Sequence, residues 1–197
     1  METEIEAKFA DIHTETLRAR LKEIGAVLEY PETLMRRRNF DYPDGRLNTI
    51  GGWIRIRDEG NKVTLSYKQL NDRTLHGTKE VSVDVSDFDK AADFLTSIGL
   101  EAKSYQETKR EKWMYQDMEI TIDTWPWIPP FMELEGSSEE ALKDAAAALG
   151  LDWSRAMHGS VETVYQMHYD FPESEIDAWG SITFVPEPDW LLTRKKA

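Results

Sequence analysis

Charged and apolar residues alternate in two short segments, one at the start of the chain and one near residue 133. Residues 4–9 read Glu-Ile-Glu-Ala-Lys-Phe, and residues 132–135 read Met-Glu-Leu-Glu. Because the side chains of a strand point alternately to its two faces, each segment predicts a strand with one apolar and one charged face. The apolar faces can pack against helices. The charged faces must lie either in solvent or around a polar cavity, and this choice constrains the fold.

Basic residues occupy the strands predicted between these two segments. Residues 36–38 are three arginines, and a hairpin over residues 53–68 carries Arg55, Arg57 and Lys68 on its polar side. Arg36 and Arg38 share one face of their strand, so we expect them to point inward and Arg37 to lie on the surface. Acidic and basic residues thus occupy separate strands, which closure of the sheet would bring together.

About eight strands, mostly antiparallel, are predicted together with three amphipathic helices. Each helix follows a capping residue and ends near a glycine, which is typical of helix termini. The predicted caps are Asp11, Asp87 and Ser137. The apolar faces of the strands match the helices in number, and no linker divides the chain. These features predict an α+β fold in a single domain.

Composition narrows the class of ligand. The chain has 197 residues, a net charge of −13 and no cysteine, which excludes disulfides and thiolate metal sites and argues against broad binding of nucleic acid. No apolar run approaches the ~18 residues of a membrane span, so we expect a soluble, cytoplasmic protein without membrane partners. A basic interior within an acidic shell suits a small polyanion.

Four glutamates are expected to converge if the sheet closes: Glu4, Glu6, Glu133 and Glu135. Carboxylates at close range raise one another's pKa values, and a divalent cation removes that conflict. Ligation by oxygen alone suits Mg²⁺ or Mn²⁺. Arginine and lysine on the facing strands would then hold phosphate oxygens. A metal with a basic clamp is typical of phosphoryl transfer.

The order of these motifs resembles the CYTH family, which is named for class IV adenylate cyclase and thiamine triphosphatase and comprises the triphosphate tunnel metalloenzymes. The resemblance covers about residues 2–169. It rests on the ordered set Glu4-x-Glu6-x-Lys8, Asn39-Phe40-Asp41, Arg55-Ile56-Arg57, Thr64-Leu65-Ser66-Tyr67-Lys68, Glu80, Arg110, Ile122-Asp123 and Glu133-Leu134-Glu135. The chain departs from the family at Asn39, where an aromatic residue is usual, and at Thr108-Lys109-Arg110, where the family has Lys-x-Arg.

The resemblance implies an eight-stranded antiparallel barrel that forms a tunnel over residues 1–170, with a C-terminal extension over residues 171–197. The implied metal ligands are Glu4, Glu6, Glu80, Asp123, Glu133 and Glu135. Together with the inward arginines predicted above, the substrate-binding residues are Lys8, Arg36, Arg38, Arg55, Arg57, Lys68, Arg110 and Lys112. Lys8, Arg57 and Asp123 are the expected catalytic residues. Which of Lys109, Arg110 and Lys112 face the tunnel is left open.

The preferred hypothesis is a hydrolase that uses Mg²⁺ or Mn²⁺ to cleave inorganic triphosphate or an organic triphosphate, acting as a monomer or homodimer. An adenylate cyclase, which releases cyclic AMP and pyrophosphate, needs the same metal and the same basic clamp. A sensor that binds polyphosphate or nucleotide without turnover is the third hypothesis. The presence of every acidic position favours catalysis over binding alone.

Overall fold

The computed structural model describes residues 1–196 and shows an antiparallel sheet curled around a polar cavity. The strands are β1 (Glu2–Thr3), β2 (Ile5–Phe9), β3 (Val27–Asp41), β4 (Gly52–Asp58), β5 (Val63–Leu70), β6 (Thr78–Val85), β7 (Glu101–Tyr115), β8 (Met118–Thr124), β9 (Phe131–Gly136) and β10 (Ser181–Ile182). The helices are α1 (Thr14–Glu23), α2 (Phe88–Ser97), α3 (Glu139–Ala148), α4 (Glu162–His168) and α5 (Asp189–Leu192). No helix of the described residues is long and apolar enough to cross a membrane.

The N-terminal segment joins the two ends of the sheet. The strand order is β1-β6-β5-β4-β3-β7-β8-β9-β2, so β1 and β2 lie at opposite ends although only Glu4 separates them in the chain. The Glu4 amide donates to the carbonyl of Thr78 at 3.0 Å, and Lys8 pairs through its backbone with Met157 at 2.9 Å. Counting β1 and β2 as one strand, and leaving out β10, which pairs only with β7, gives eight. The predicted α+β fold with a curled, eight-stranded antiparallel sheet is confirmed.

The helices cover the outer, apolar face of the sheet in two places. Leu17 and Leu21 of α1 and Leu142 of α3 are buried against the outer faces of β2, β8 and β9. A second cluster packs α2 against β4 and β7 through residues such as Leu95 and Ile56. Because the apolar side chains of each strand are used on this outer face, their polar neighbours in sequence must face the cavity.

Two of the three predicted helix caps are wrong by a few residues. Helix α1 begins after His13, whose Nδ1 accepts from the Thr16 amide at 3.4 Å, and Asp11 instead adopts φ +55° before it. Helix α3 begins after Ser138, not Ser137. Asp87 is confirmed, since its carboxylate accepts from the amide of Lys90 at 2.8 Å. In each case a polar side chain satisfies an amide that the first helical turn leaves unpaired.

Residues 170–196 pack against one end of the sheet. Strand β10 pairs in parallel with β7, with Ser181 opposite Tyr105. Trp179 is packed among Tyr165, Phe171 and Trp127 of the same buried cluster. The extension therefore packs on β7 and on the loop that contains Trp127, both of which lie about fifty or more residues earlier in the chain.

Gly51 immediately precedes β4 and lies close to the backbone of Leu70 at the end of β5. The pairing of β4 with β5, the strands that carry Arg55, Arg57 and Lys68, depends on this close approach. The φ of Gly51 is +70°, and a Cβ there would lie 2.2 Å from the carbonyl oxygen of Leu70. Gly45 has nearly the same φ, +68°, but a Cβ there would meet nothing within 4 Å. Gly45→Ala should therefore cost only the left-handed backbone penalty, about 1–2 kcal/mol, whereas Gly51→Ala adds a steric clash of about 1–3 kcal/mol. Urea denaturation of both variants measures the difference, and equal losses would contradict the packing described.

Candidate functional site

The curled sheet encloses a cavity of about 870 Å³ whose wall is mostly charged. Ten of the charged residues that the sequence analysis placed in the site line this cavity: Glu4, Glu6, Lys8, Arg55, Arg57, Lys68, Glu80, Arg110, Glu133 and Glu135. Arg37 and Glu119 also line the cavity, and the sequence analysis assigned neither of them a role in the site. The cavity thus brings together acids from both ends of the sheet with bases from its middle strands.

The orientation predicted for the three consecutive arginines is wrong. Arg37 lines the cavity, and its register neighbours are Arg57 on β4 and Gln106 on β7. Arg36 and Arg38 lie outside, where Arg36 Nε donates to Asp58 at 3.0 Å and both guanidinium groups stand over the ring of Phe88. The alternation was correct but its phase was not, because a run of three identical residues carries no signal of which face is apolar.

Arg110 is the inward residue of the basic segment on β7 that the sequence left ambiguous. Its guanidinium donates to Asp123 at 2.6 and 2.8 Å and to Glu133 at 2.8 Å. Lys109 lies on the opposite face, 3.6 Å from Glu32. Lys112 contacts Glu29 at 3.1 Å and Glu119 at 2.5 Å and is not among the residues that line the cavity.

Asp123 lies behind the cavity wall. It is fully buried, Arg110 and Thr121 occupy its carboxylate, and it does not line the cavity. Burial raises its pKa above the ordinary value, although the Arg110 charge opposes the shift. The structure therefore places Asp123 as the anchor of Arg110, away from the position expected for a metal ligand or a catalytic group.

Three carboxylates form a row across the inner face at the end of the sheet. Glu6 on β2 is the register partner of Glu135 on β9, which is in turn the partner of Glu119 on β8. Burial and the charges of Glu119 and Glu6 raise the pKa of Glu135. Opposite residues on neighbouring strands have Cβ atoms about 4.5–5.5 Å apart, so the row concentrates negative charge. Glu119 was missed because its importance comes from its register with β9.

Lys8 joins this acidic row to the base-rich strands. Its ammonium, almost fully buried, lies 3.1 Å from Glu6 and 3.4 Å from Glu133. Burial alone would lower the pKa of Lys8, but Glu133 and Glu6 outweigh it and the pKa is raised. Conversely, Lys8 and Arg110 hold the pKa of Glu133 at about 2 despite its burial. Lys8 and Glu133 therefore remain charged over the whole physiological range.

Glu4 and Glu80 share one ammonium group and one proton. Lys68 Nζ lies 3.0 Å from Glu4 and 2.7 Å from Glu80, and the two carboxyl groups also hydrogen-bond one another. Burial and the hydrogen bond to Glu80 raise the pKa of Glu4 to about 8. The pKa of Glu80 is lowered, because the hydrogen bond from Glu4 and the charge of Lys68 outweigh its burial. Near neutral pH the pair therefore carries about one proton.

Two guanidinium groups in the cavity wall have unused donors. Arg37 and Arg55 are both buried, and the Nε atom of each has no hydrogen-bond partner. Burial and the charges of neighbouring arginines lower the pKa of Arg37 well below its ordinary value and that of Arg55 to about 10. Glu80 approaches Arg55 only to 3.5 Å. Buried donors without an acceptor are rare, so this wall is complementary to an anion.

A model of the CYTH domain family matches residues 2–169. The chain belongs to the CYTH family. No curated protein matches it significantly. The likeness in solved structures is at the level of the fold, and the resemblance inferred from the motifs is confirmed.

Three solved structures illustrate this likeness. A proposed adenylate cyclase from Vibrio parahaemolyticus superposes with a TM-score of 0.73 at 16% identity, covering 84% of this chain and 98% of its own. The PH1012 protein from Pyrococcus horikoshii OT3 gives 0.65 at 19% identity, covering 78% and 93%. HpAC1 from Hippeastrum, a proposed adenylyl cyclase reported with a dominant triphosphatase activity, gives 0.60 at 14% identity, covering 88% and 99%.

The carboxylates of this CYTH domain fit a hard divalent cation in donor type. Among the described residues, no three histidine, aspartate or glutamate side chains are already grouped as a metal site. Glu6, Glu119 and Glu135 nevertheless supply the oxygen donors that Mg²⁺ and Mn²⁺ prefer. Within the described chain Glu135 forms no ion pair, and its pKa is raised by burial and by the charges of Glu119 and Glu6, whose repulsion a cation would relieve. The other carboxylates of the cavity already contact cations: Glu6 contacts Lys8 and Glu119 contacts Lys112, while Glu4, Glu80 and Glu133 are engaged by lysine or arginine.

The proton held by Glu4 and Glu80 predicts a pH-dependent stability. In the unfolded chain Glu4 has an ordinary pKa of 4.5, whereas in the folded protein it is about 8. The folded state therefore binds more protons between these values, and its stability falls as pH rises through that window. Glu4→Gln mimics the neutral form, so wild type should lose roughly 1 kcal/mol per pH unit relative to this variant between pH 5 and 8.

Urea denaturation at several pH values measures this difference. Glu23→Gln, an exposed residue of α1, makes the same change of charge and serves as the control. A stability difference between wild type and Glu4→Gln that stays flat from pH 5 to 8 would contradict the shared proton.

Proposed function

We propose that this CYTH domain hydrolyses the terminal phosphoanhydride bond of inorganic triphosphate or an organic triphosphate with the help of a divalent cation. The observation that carries the proposal is the pair of buried guanidinium groups, Arg37 and Arg55, that face the cavity with unused donors. A polyanion of several phosphates supplies acceptors for both of them. The carboxylate row at the other end of the cavity supports the cation.

The basic wall is held rigid by contacts on its far side. Arg57 donates twice to Glu59, at 3.0 and 2.8 Å, and burial of Glu59 is outweighed by the Arg57 charge, so the pKa of Glu59 is lowered. Arg110 is fixed by its two bonds to Asp123. Donors that are already oriented need no reorganisation when charge develops on the phosphate oxygens. Arg55, Arg57, Lys68 and Arg110 are therefore proposed to bind the phosphates.

Glu6, Glu119 and Glu135 are proposed to hold Mg²⁺ or Mn²⁺. When bound, such a cation neutralises phosphate charge and lowers the pKa of a coordinated water. Lys8 bridges Glu6 and Glu133 and so places an ammonium group next to that row. Its catalytic part in this proposal is to balance the charge of the row and to face the phosphates from the acidic side.

We prefer hydrolysis to cyclisation of ATP, because the cavity lining offers few uncovered aromatic rings to a nucleotide base. A cyclase must hold the base of its substrate, and the aromatic lining residues are the natural platform for it. The face of Trp125 is covered by the Arg37 guanidinium at 4.6 Å from the ring centroid. That leaves Trp53 as the other tryptophan in the lining. The dominant triphosphatase activity reported for HpAC1 is consistent with hydrolysis in a related fold.

The proposal predicts phosphate release from tripolyphosphate or ATP when Mg²⁺ or Mn²⁺ is added, with little cyclic AMP. Arg55→Met should lower turnover roughly 100-fold, because it removes a buried donor from the developing charge. Arg38→Met, on the outer face of β3, is the matched control and should retain activity. Both products are assayed in the same reaction. Cyclic AMP as the main product from ATP would reject hydrolysis, and binding without any product would favour a sensor.

The cation is tested separately with Glu135→Gln. This variant should raise the metal concentration for half-maximal turnover about tenfold or more, since it removes an oxygen donor from the row. Its stability should be unchanged or higher, because repulsion from Glu119 and Glu6 is relieved. Glu133→Gln should instead lose stability, because it removes one of the two carboxylate partners of Lys8 and one of the two carboxylate partners of Arg110. A metal dependence identical to wild type in Glu135→Gln would refute this cation site.

A further inference from the structure

Arg37 is a buried cation without an anionic partner. Only 6% of its surface is exposed, and none of the ion pairs among the described residues includes it. Its Nη2 donates to Thr108 Oγ1 at 2.7 Å, and its guanidinium lies 4.6 Å from the ring centroid of Trp125. The Nε donor is unused and the side chain faces the cavity. Burying an unpaired charge is unfavourable, so the folded chain alone does not explain this residue.

The neighbouring cations differ from Arg37 in having carboxylate partners. Glu59 holds Arg57, and Asp123 with Glu133 holds Arg110. Arg57 is also the register partner of Arg37 across β3 and β4, which places two guanidinium groups side by side. The charges of Arg55, Arg57 and Arg110 act on Arg37 together. A ligand anion is thus the natural counter-charge for this corner of the cavity.

Asn39 completes the polar corner with an acceptor. It follows Arg37 by two residues on the same inner face of β3, and its register partners are Arg55 on β4 and Ser104 on β7. Its Oδ1 is buried and has no donor. The corner therefore presents two unused guanidinium donors and one unused acceptor. A group that matches it carries several acceptor oxygens, one of which bears a proton.

We propose that Arg37, Asn39 and Arg55 form a subsite for the terminal phosphoryl group of the substrate, with Arg37 as the residue that selects it. This inference rests on the proposed triphosphate function. A terminal phosphoryl group has three acceptor oxygens and carries between one and two negative charges near neutral pH, because its second ionisation lies near pH 6. An inner phosphoryl group has only two free oxygens and no second ionisation. The donor and acceptor set of the corner fits the terminal group.

Aromatic residues hold the corner in position, including one from the C-terminal extension. Trp125 meets Tyr165 edge to face at 6.2 Å, and Tyr165 meets Trp179 edge to face at 5.5 Å. The hydroxyl of Tyr165 donates to the carbonyl of Pro126 at 2.7 Å, which fixes the ring. Arg37 therefore rests on the ring of Trp125, which packs against Tyr165, and Tyr165 in turn contacts Trp179, beyond the family match over residues 2–169.

Two probes of the same phosphorus count test the proposal. Linear triphosphate has terminal phosphoryl groups, whereas cyclic trimetaphosphate has none. Binding of each is measured by calorimetry without divalent metal, so that no turnover is needed. Arg37→Met should weaken binding of linear triphosphate roughly tenfold or more, the loss of a charge-assisted hydrogen bond, and should leave binding of trimetaphosphate nearly unchanged. The affinity of Arg37→Lys for linear triphosphate should lie between those of wild type and Arg37→Met.

Arg36→Met is the control, since Arg36 is the neighbouring residue on the outer face and pairs with Asp58. It should leave both affinities within about twofold of wild type. Thermal melting without ligand separates function from structure: Arg37→Met should melt at or above the wild-type temperature, because it removes an unpaired buried charge. A lower melting temperature with equal losses for both probes would identify Arg37 as structural and overturn the proposal.

The outcomes distinguish this inference from the proposed function. Selective loss of linear triphosphate binding in Arg37→Met supports the subsite even if the protein releases no phosphate, which would reject hydrolysis alone. Equal affinity of wild type and Arg37→Met for linear triphosphate overturns the subsite even if turnover is observed. Failure of wild type to bind linear triphosphate overturns the subsite, whereas the proposed hydrolysis is judged separately by phosphate release in the presence of Mg²⁺ or Mn²⁺.

Discussion

The continuity of the N-terminal segment between β6 and β9 is the constraint on which the site depends. At Glu4 the N-terminal segment stops pairing with β6 and begins to pair with β9. The backbone hydrogen bond of Glu4 to Thr78 and the pairing of Glu6 with Glu135 are therefore made by the same few residues. Without this junction the acidic row would lie at one end of an open sheet, away from the basic strands in its middle. Closure converts residues that are distant in sequence into facing walls.

Charge compensation inside the cavity is uneven, and that unevenness indicates where ligands bind. Most cations have carboxylate partners on the same wall or behind it, as Arg110 has Asp123 and Lys8 has Glu6. Such pairs fix the geometry of donors that can also face a ligand. The groups with the least compensation are Arg37, which has no ion pair among the described residues, Arg55, which has only a 3.5 Å contact with Glu80, and Glu135 on the acidic side. A substrate polyanion with its cation would compensate both sides at once, which favours a joint metal–phosphate complex over either partner alone.

The sequence predicted the strands and the pairing of acids with bases, because the alternation of charged and apolar residues is strong in β2 and β9. It did not predict the phase of the arginine run or the role of Glu119, since both depend on register between strands that are far apart in the chain. Asp123 was assigned to the cavity because the resemblance to the CYTH family implied a metal-binding or catalytic role for it. Its burial behind Arg110 arises from side-chain packing, which a two-residue period does not encode.

The acidic exterior adds a second level of selection to the basic corner. In physiological salt the Debye length is about 8 Å, so a net charge of −13 repels more distant anions only weakly. The repulsion is strong for a long polyanion that touches the surface at many points. Under the proposed function, a short polyphosphate would cross this shell once and then meet Arg37 and Arg55 in a buried, less screened environment. Its affinity would therefore depend on the cavity wall.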